Sequence, residues 1–215
     1  MRLQHSFSLH RDEVRIYDCG TSPEFNLDLI SAIENARPHR SSKCRADLRG
    51  NCPPDIESEM TRIFEQAFTE YVNELFQPEL WANFDFFADW SINLYQSGTA
   101  TFTHTHNEAF LTLIYYPQTC EGRPQTTFTS SLLPLRTGEI VISNPCGLAL
   151  WDRYAKEDAR LPTRFLPKEG FLLVMPGYLP HWTVPGEWQK RISLAAFIIA
   201  KQKSAKLIPG KHHAD

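Results

Sequence analysis

Between Ile56 and Leu75 the apolar residues Ile56, Met60, Ile63, Phe64, Ala67, Phe68, Tyr71, Val72 and Leu75 recur at helical spacing. This places them along one face of an α-helix, a face that needs a sheet to cover it. Asp55, after two prolines, is the expected N-cap. Glu57 and Glu59 fall in the first turn, where the helix dipole favours acids, and Pro78 lies beyond the end. A shorter helix is expected over residues 25–37, closed by Pro38. From Ala88 the period changes. Short β-branched and aromatic runs, cut by Gly and Pro, predict strands at 89–96, 100–103, 109–116, 126–130, 138–143, 170–175, 181–184 and 191–200.

The pattern therefore reads as a mainly β protein with flanking helices. About eight short strands fit a double-sheet jelly roll, also called a double-stranded β-helix, of cupin-like form. A helical region over residues 1–85 is expected to pack on a core at 86–202, with a tail at 203–215. The mouth of such a core is a usual place for a small-molecule site. Residues 146–168 fall between two predicted strands and are long for a turn. They are the expected substrate loop, with Trp151, Arg153 and Tyr154 as candidate contacts.

Composition narrows the partners. The chain has 215 residues, 42% of them hydrophobic, enough for one domain with a sizeable core. A formal net charge of −3 gives no bulk electrostatic case for nucleic acid. The basic stretch Arg37, Arg40, Lys43, Arg45 and Arg49 reads as a solvated loop. Residues 1–15 carry scattered charges and no apolar run, which fits neither a signal peptide nor a membrane span. The cysteines Cys19, Cys44, Cys52, Cys120 and Cys146 form no CxxC pair and read as reduced thiols of a cytoplasmic protein. A homodimer stays open.

The candidate chemistry is a metal site. In His104-Thr-His106 two imidazoles are separated by one residue. On a regular strand both would point to one face, about 6–7 Å apart, and could share one ion. His181, fixed by the turn Pro176-Gly-Tyr-Leu-Pro180, is the candidate third ligand. Imidazole suits iron, zinc, copper and nickel alike, so the ligand type leaves the metal open. The other histidines, His5, His10, His39, His212 and His213, lie in terminal or loop segments and read as exposed.

The text around these residues resembles a known family. Asn93-Leu-Tyr95, Gly98 and His104-x-His106 resemble the Asn-x-Tyr, Gly, His-x-Asp stretch of the 2-oxoglutarate/iron(II)-dependent oxygenases. Trp90-Ser-Ile-Asn93, Thr112-Leu-Ile-Tyr115-Tyr116 and 138–145 are similar to a subgroup that carries histidine at the carboxylate position. The strand before His181 and Arg191-Ile-Ser193, ten residues after it, also match in order. The likeness spans roughly residues 90–199. Asn107 departs from the subgroup's proline and Leu113 from its glycine. Glu108, two residues past His106, is a reserve carboxylate ligand.

The resemblance implies iron(II) on His104, His106 and His181, with 2-oxoglutarate as cosubstrate. Arg191 would pair with its far carboxylate, helped by Ser193 and Tyr95, with Asn93 near the metal end. The implied reaction consumes O₂ and oxidises a small molecule or peptide. Two rivals stay open: a three-histidine cupin dioxygenase that uses no 2-oxoglutarate, and a metal-free jelly-roll binding module.

Overall fold

The computed structural model describes residues 1–9, 12–35, 53–76, 83–95, 101–119, 140–142, 163–165, 167–183 and 191–203. In chain order the elements are β1 (Arg2–Leu9), β2 (Asp12–Asp18), α1 (Pro23–Asn35), α2 (Pro54–Leu75) and β3 (Phe84–Tyr95). There follow β4 (Leu111–Gln118), β5 (Ile140–Ile142), β6 (Thr163–Phe165), β7 (Phe171–Pro176), β8 (His181–Thr183) and β9 (Arg191–Gln202). One sheet of six strands has the order β1-β2-β7-β4-β9-β3, and a second of three has the order β6-β5-β8. Among the described residues every strand pairing within the two sheets is antiparallel. Among the described residues no helix is long and apolar enough to cross a membrane.

Strand alternation divides the large sheet into two faces of different chemistry. On one face Leu111, Leu113, Tyr115, Leu172, Val174, Ile192, Leu194 and Ala196 join the buried side of both helices in the main core. The long helix α2 supplies Ile56, Met60, Ile63, Phe64 and Ala67, and Phe64 meets the Trp90 ring edge-on at 5.4 Å. The helical stripe is therefore covered by the sheet, as its spacing requires. The opposite face carries Ile114, Tyr116, Leu173, Met175 and Ala195. Interleaved with these apolar residues are buried Ser91, Thr112, Arg191 and Ser193. Buried polar groups of this kind need hydrogen-bond partners.

Several expectations are corrected. The N-terminal region is not wholly helical: it opens with the pair β1–β2, and β2 joins the large sheet beside β7. Both faces of β2 are buried, including Arg15, which hides the alternation that marks a half-buried strand. Arg15 is accommodated by the Tyr71 ring at 5.2 Å and by Glu74 at 2.9 Å. Pro53, not Asp55, occupies the N-cap of α2, with no side-chain cap; Asp55 lies in the first turn. No strand forms over 101–103. Part of the expected loop 146–168 is strand β6, which pairs with β5. Residues 126–130 lie outside the described residues, as do 204–215 of the expected tail.

Candidate metal centre

The two histidines of His104-Thr-His106 do not lie on a regular strand. His104 forms an isolated bridge with His181, each amide donating to the other's carbonyl at 3.1 and 3.0 Å. Two residues on, the His106 amide donates to the Gly177 carbonyl at 2.7 Å. The segment 104–106 is thus hung on the turn that leads into β8, so all three imidazoles are positioned by one set of backbone bonds. Strand alternation is not the cause. Gly177 must be glycine here: a Cβ would fall far inside contact with the Ala109 carbonyl oxygen and 2.7 Å from that of His106.

The result is a cluster. One ring nitrogen from each of His104, His106 and His181 lies within 4.8 Å of the others. The ring centres are 4.4 Å apart for His104 and His181, 4.8 Å for His104 and His106, and 5.2 Å for His106 and His181. His104 Nδ1 bonds the Phe102 carbonyl at 2.8 Å, and His181 Nδ1 bonds the Leu179 carbonyl at 2.9 Å. A carbonyl only accepts, so both rings carry a proton on Nδ1, which in the neutral tautomer leaves the lone pair on Nε2. This is the second-sphere arrangement that metal-ligating imidazoles need. Burial pushes the His181 imidazole down to about 4, against the Leu179 bond that raises it, and nearby His104 lowers it further. At neutral pH His181 is therefore a neutral donor. Three ring nitrogens this close, two of them on rings oriented by backbone carbonyls, fit a divalent ion.

Glu108 is not part of this cluster: it is exposed, on the turn after His106, where alternation no longer applies. The other candidates lie along β3 and β9. Asn93 stands directly opposite Ser193, and Tyr95 opposite Arg191. Opposed residues share a face, so all four backbone positions project from the same side of the sheet. Asn93 Nδ2 reaches Ser193 Oγ at 3.5 Å, a long contact. Arg191 is 1% exposed, its guanidinium 5.4 Å from the centre of the Tyr116 ring. Farther along the same face of β9, Phe197 packs its ring 4.3 Å from that of His106. One row thus runs from Arg191 to the histidines. Trp151, Arg153 and Tyr154 lie outside the described residues.

Sequence reasoning missed Gly177, Phe197 and Thr112. Thr112 is fully buried opposite Phe197, and its hydroxyl has no hydrogen-bond partner among the described residues. Its place two residues before Ile114 and four before Tyr116 puts it on the polar face, a signal that alternation along β4 carries.

Neither a family model nor a curated protein matches this chain. Solved structures do. HygX from Streptomyces hygroscopicus, solved with nickel and 2-oxoglutarate bound, is 11% identical with a TM-score of 0.58, over 86% of this chain and 82% of that one. A prolyl-4-hydroxylase from Pseudomonas putida is 14% identical with a TM-score of 0.54, over 86% and 91%. The viral collagen prolyl hydroxylase of Paramecium Bursaria Chlorella virus-1, in its 2-oxoglutarate complex, is 14% identical with a TM-score of 0.51, over 86% and 94%. At such identities the likeness is one of fold. Two of these structures hold 2-oxoglutarate, and what this chain shares with them is the architecture that carries its own His-x-His…His cluster.

Proposed function

We propose that this chain is a 2-oxoglutarate/iron(II)-dependent oxygenase with a jelly-roll core, acting on a small-molecule or peptide substrate. The strand orders support the core. In chain order β3, β4, β7 and β9 lie in the large sheet, while the His104 bridge, β5, β6 and β8 make the smaller one. Passage back and forth between two antiparallel sheets favours a double-stranded β-helix as the reading of the core.

His104, His106 and His181 would hold the metal through their ring nitrogens. Iron(II) there would supply the redox chemistry that couples decarboxylation of 2-oxoglutarate to oxidation of the substrate. The chain's own residues do the rest. Arg191, stacked on Tyr116, offers a planar fork to the far carboxylate of 2-oxoglutarate. Ser193 adds a hydrogen-bond donor on the same face, steadied by Asn93, and Tyr95, paired with Arg191 along the backbone, is the further donor that the resemblance implies. Ile114, Met175 and Ala195 keep water from the same face.

The observation that carries this reading is the row on β9. Two opposed pairs, Asn93 with Ser193 and Tyr95 with Arg191, share a face with Phe197, which touches a member of the histidine cluster. A three-histidine dioxygenase without 2-oxoglutarate has no use for a buried arginine there. The test is Arg191→Ala. It is expected to weaken 2-oxoglutarate binding by roughly 2–5 kcal/mol, more than about thirtyfold, and to leave metal affinity unchanged. Unchanged 2-oxoglutarate affinity, measured anaerobically by calorimetry, contradicts the assignment and favours the rival.

A further inference from the structure

Beyond the histidine cluster the same face opens into a cavity of about 370 Å³, to which His106 itself contributes a wall. Its size is at the small end for ligand sites, which run about 300–1,000 Å³, so it suits one small molecule or one side chain. The apolar part of the wall is Ala109, Phe197 and Ile199. The polar part is Asp89, Thr105, Asn107 and Glu108: two carboxylates, an amide and a hydroxyl. No lysine or arginine lines it among the described residues.

The cavity has a defined place in the row on β9. Alternate residues Arg191, Ser193, Ala195, Phe197 and Ile199 project to one side. Phe197 touches His106 and stands opposite Asp89. Arg191 lies at one end of this row, and Ile199 with the cavity at the other. Among the described residues of this row and the cavity wall, the guanidinium therefore lies towards one end and the carboxylates towards the other. An anion is drawn to the first end and a cation to the second.

We infer that this cavity is the substrate site and that its substrate carries a protonated amine on a short aliphatic body. The carboxylates of Asp89 and Glu108 supply counter-charge, and the Asn107 carbonyl and Thr105 hydroxyl can accept further N–H bonds. Phe197, Ile199 and Ala109 meet the aliphatic part beside His106. Among the described residues Phe197 is the one Phe, Tyr or Trp ring in the wall, which does not make an aromatic cage for a quaternary ammonium. Glu108, which the sequence offered as a reserve metal ligand, acts here on the substrate.

The inference rests on the proposed metal and cosubstrate site, and its test keeps the two apart. Hexylamine, hexanol and hexanoate share one chain length and differ in charge. Their binding to the full chain is followed by ¹H–¹⁵N chemical-shift titration at low ionic strength, where exposed carboxylates are least screened. Hexylamine should bind more tightly than hexanol and shift the amides of residues 105–109, with hexanoate weakest. Asp89→Asn and Glu108→Gln should each reduce the amine's advantage, by up to about fivefold, as expected for exposed ion pairs. The double variant should abolish it. Both positions are exposed and both changes nearly isosteric, and an unchanged spectrum elsewhere verifies the fold.

Equal affinity for amine and alcohol, or an advantage that survives the double variant, overturns the inference. A preference for hexanoate also does. In a parallel arm 2-oxoglutarate is titrated with metal present. Amine selectivity without 2-oxoglutarate binding upholds the cation site and contradicts the oxygenase reading. 2-Oxoglutarate binding without amine selectivity does the reverse.

Discussion

His106 and Gly177 are joined backbone to backbone: the His106 amide donates to the Gly177 carbonyl at 2.7 Å, and no side-chain atom fits between the two segments. One ligand of the candidate metal site is thereby fixed to the turn that delivers another, His181. A Cβ at 177 would have to push residues 106–109 away. Gly177→Ala is expected to cost about 1–3 kcal/mol in overpacking and to weaken divalent-metal binding as well. Gly20→Ala is the control. Gly20 has φ 64° and nothing within 4 Å of its would-be Cβ, so only backbone strain is added, far from the cluster. Thermal unfolding should register both variants, whereas metal titration should register Gly177→Ala alone. Full metal affinity in Gly177→Ala would show that this contact does not position the site.

Acid should destabilise the metal-free protein through His181. Burial holds its imidazole at about 4, below the ordinary 6.5, so the unfolded chain binds the extra proton more readily than the folded one. A depressed histidine contributes its full stability above the unfolded value and loses it as pH falls from 6.5 towards 4. The contribution is on the order of 3 kcal/mol. Denaturant unfolding of the wild type and His181→Gln across this window isolates it from the carboxylates. The wild type should lose stability faster with falling pH, and parallel curves would contradict the burial account.

Cys19 should be inert in the native state. It is buried as a free thiol between β2 and α1, and burial pushes it up to about 12, so almost no thiolate exists at pH 8. Iodoacetamide at that pH, followed by peptide mass mapping, should leave Cys19 unmodified until denaturant is added. Rapid native labelling would mean that this part of the core opens freely.

How much of this was legible depends on whether a signal is local. The stripe of α2 reads directly, because its period is a property of consecutive residues. The pairs Asn93-x-Tyr95 and Arg191-x-Ser193 also read directly, since alternation alone puts each pair on one face. That Asn93 would stand opposite Ser193 could not be read, because register between residues 100 apart is set by the assembled sheet. His104 and His106 were placed together correctly but for the wrong reason. Thr101 and Thr103 imitate a strand, while the segment is held by bonds to Gly177 and His181. The role of Gly177 was hidden for the same reason: in sequence it is one residue of a turn, and only the approach of 106–109 shows why a side chain is excluded. β2 was missed because both its faces are buried, and Arg15 interrupts the hydrophobic run.

His104, His106 and His181 are proposed to hold one divalent metal together. The most direct test is anaerobic titration of iron(II) into the wild type and into His104→Ala, His106→Ala and His181→Ala, by calorimetry. One ion per chain in the wild type, with severe weakening in each of the three variants, is the predicted result. Wild-type affinity retained in any one of them, or loss of binding on Glu108→Gln in place of His106→Ala, would contradict the three-histidine site.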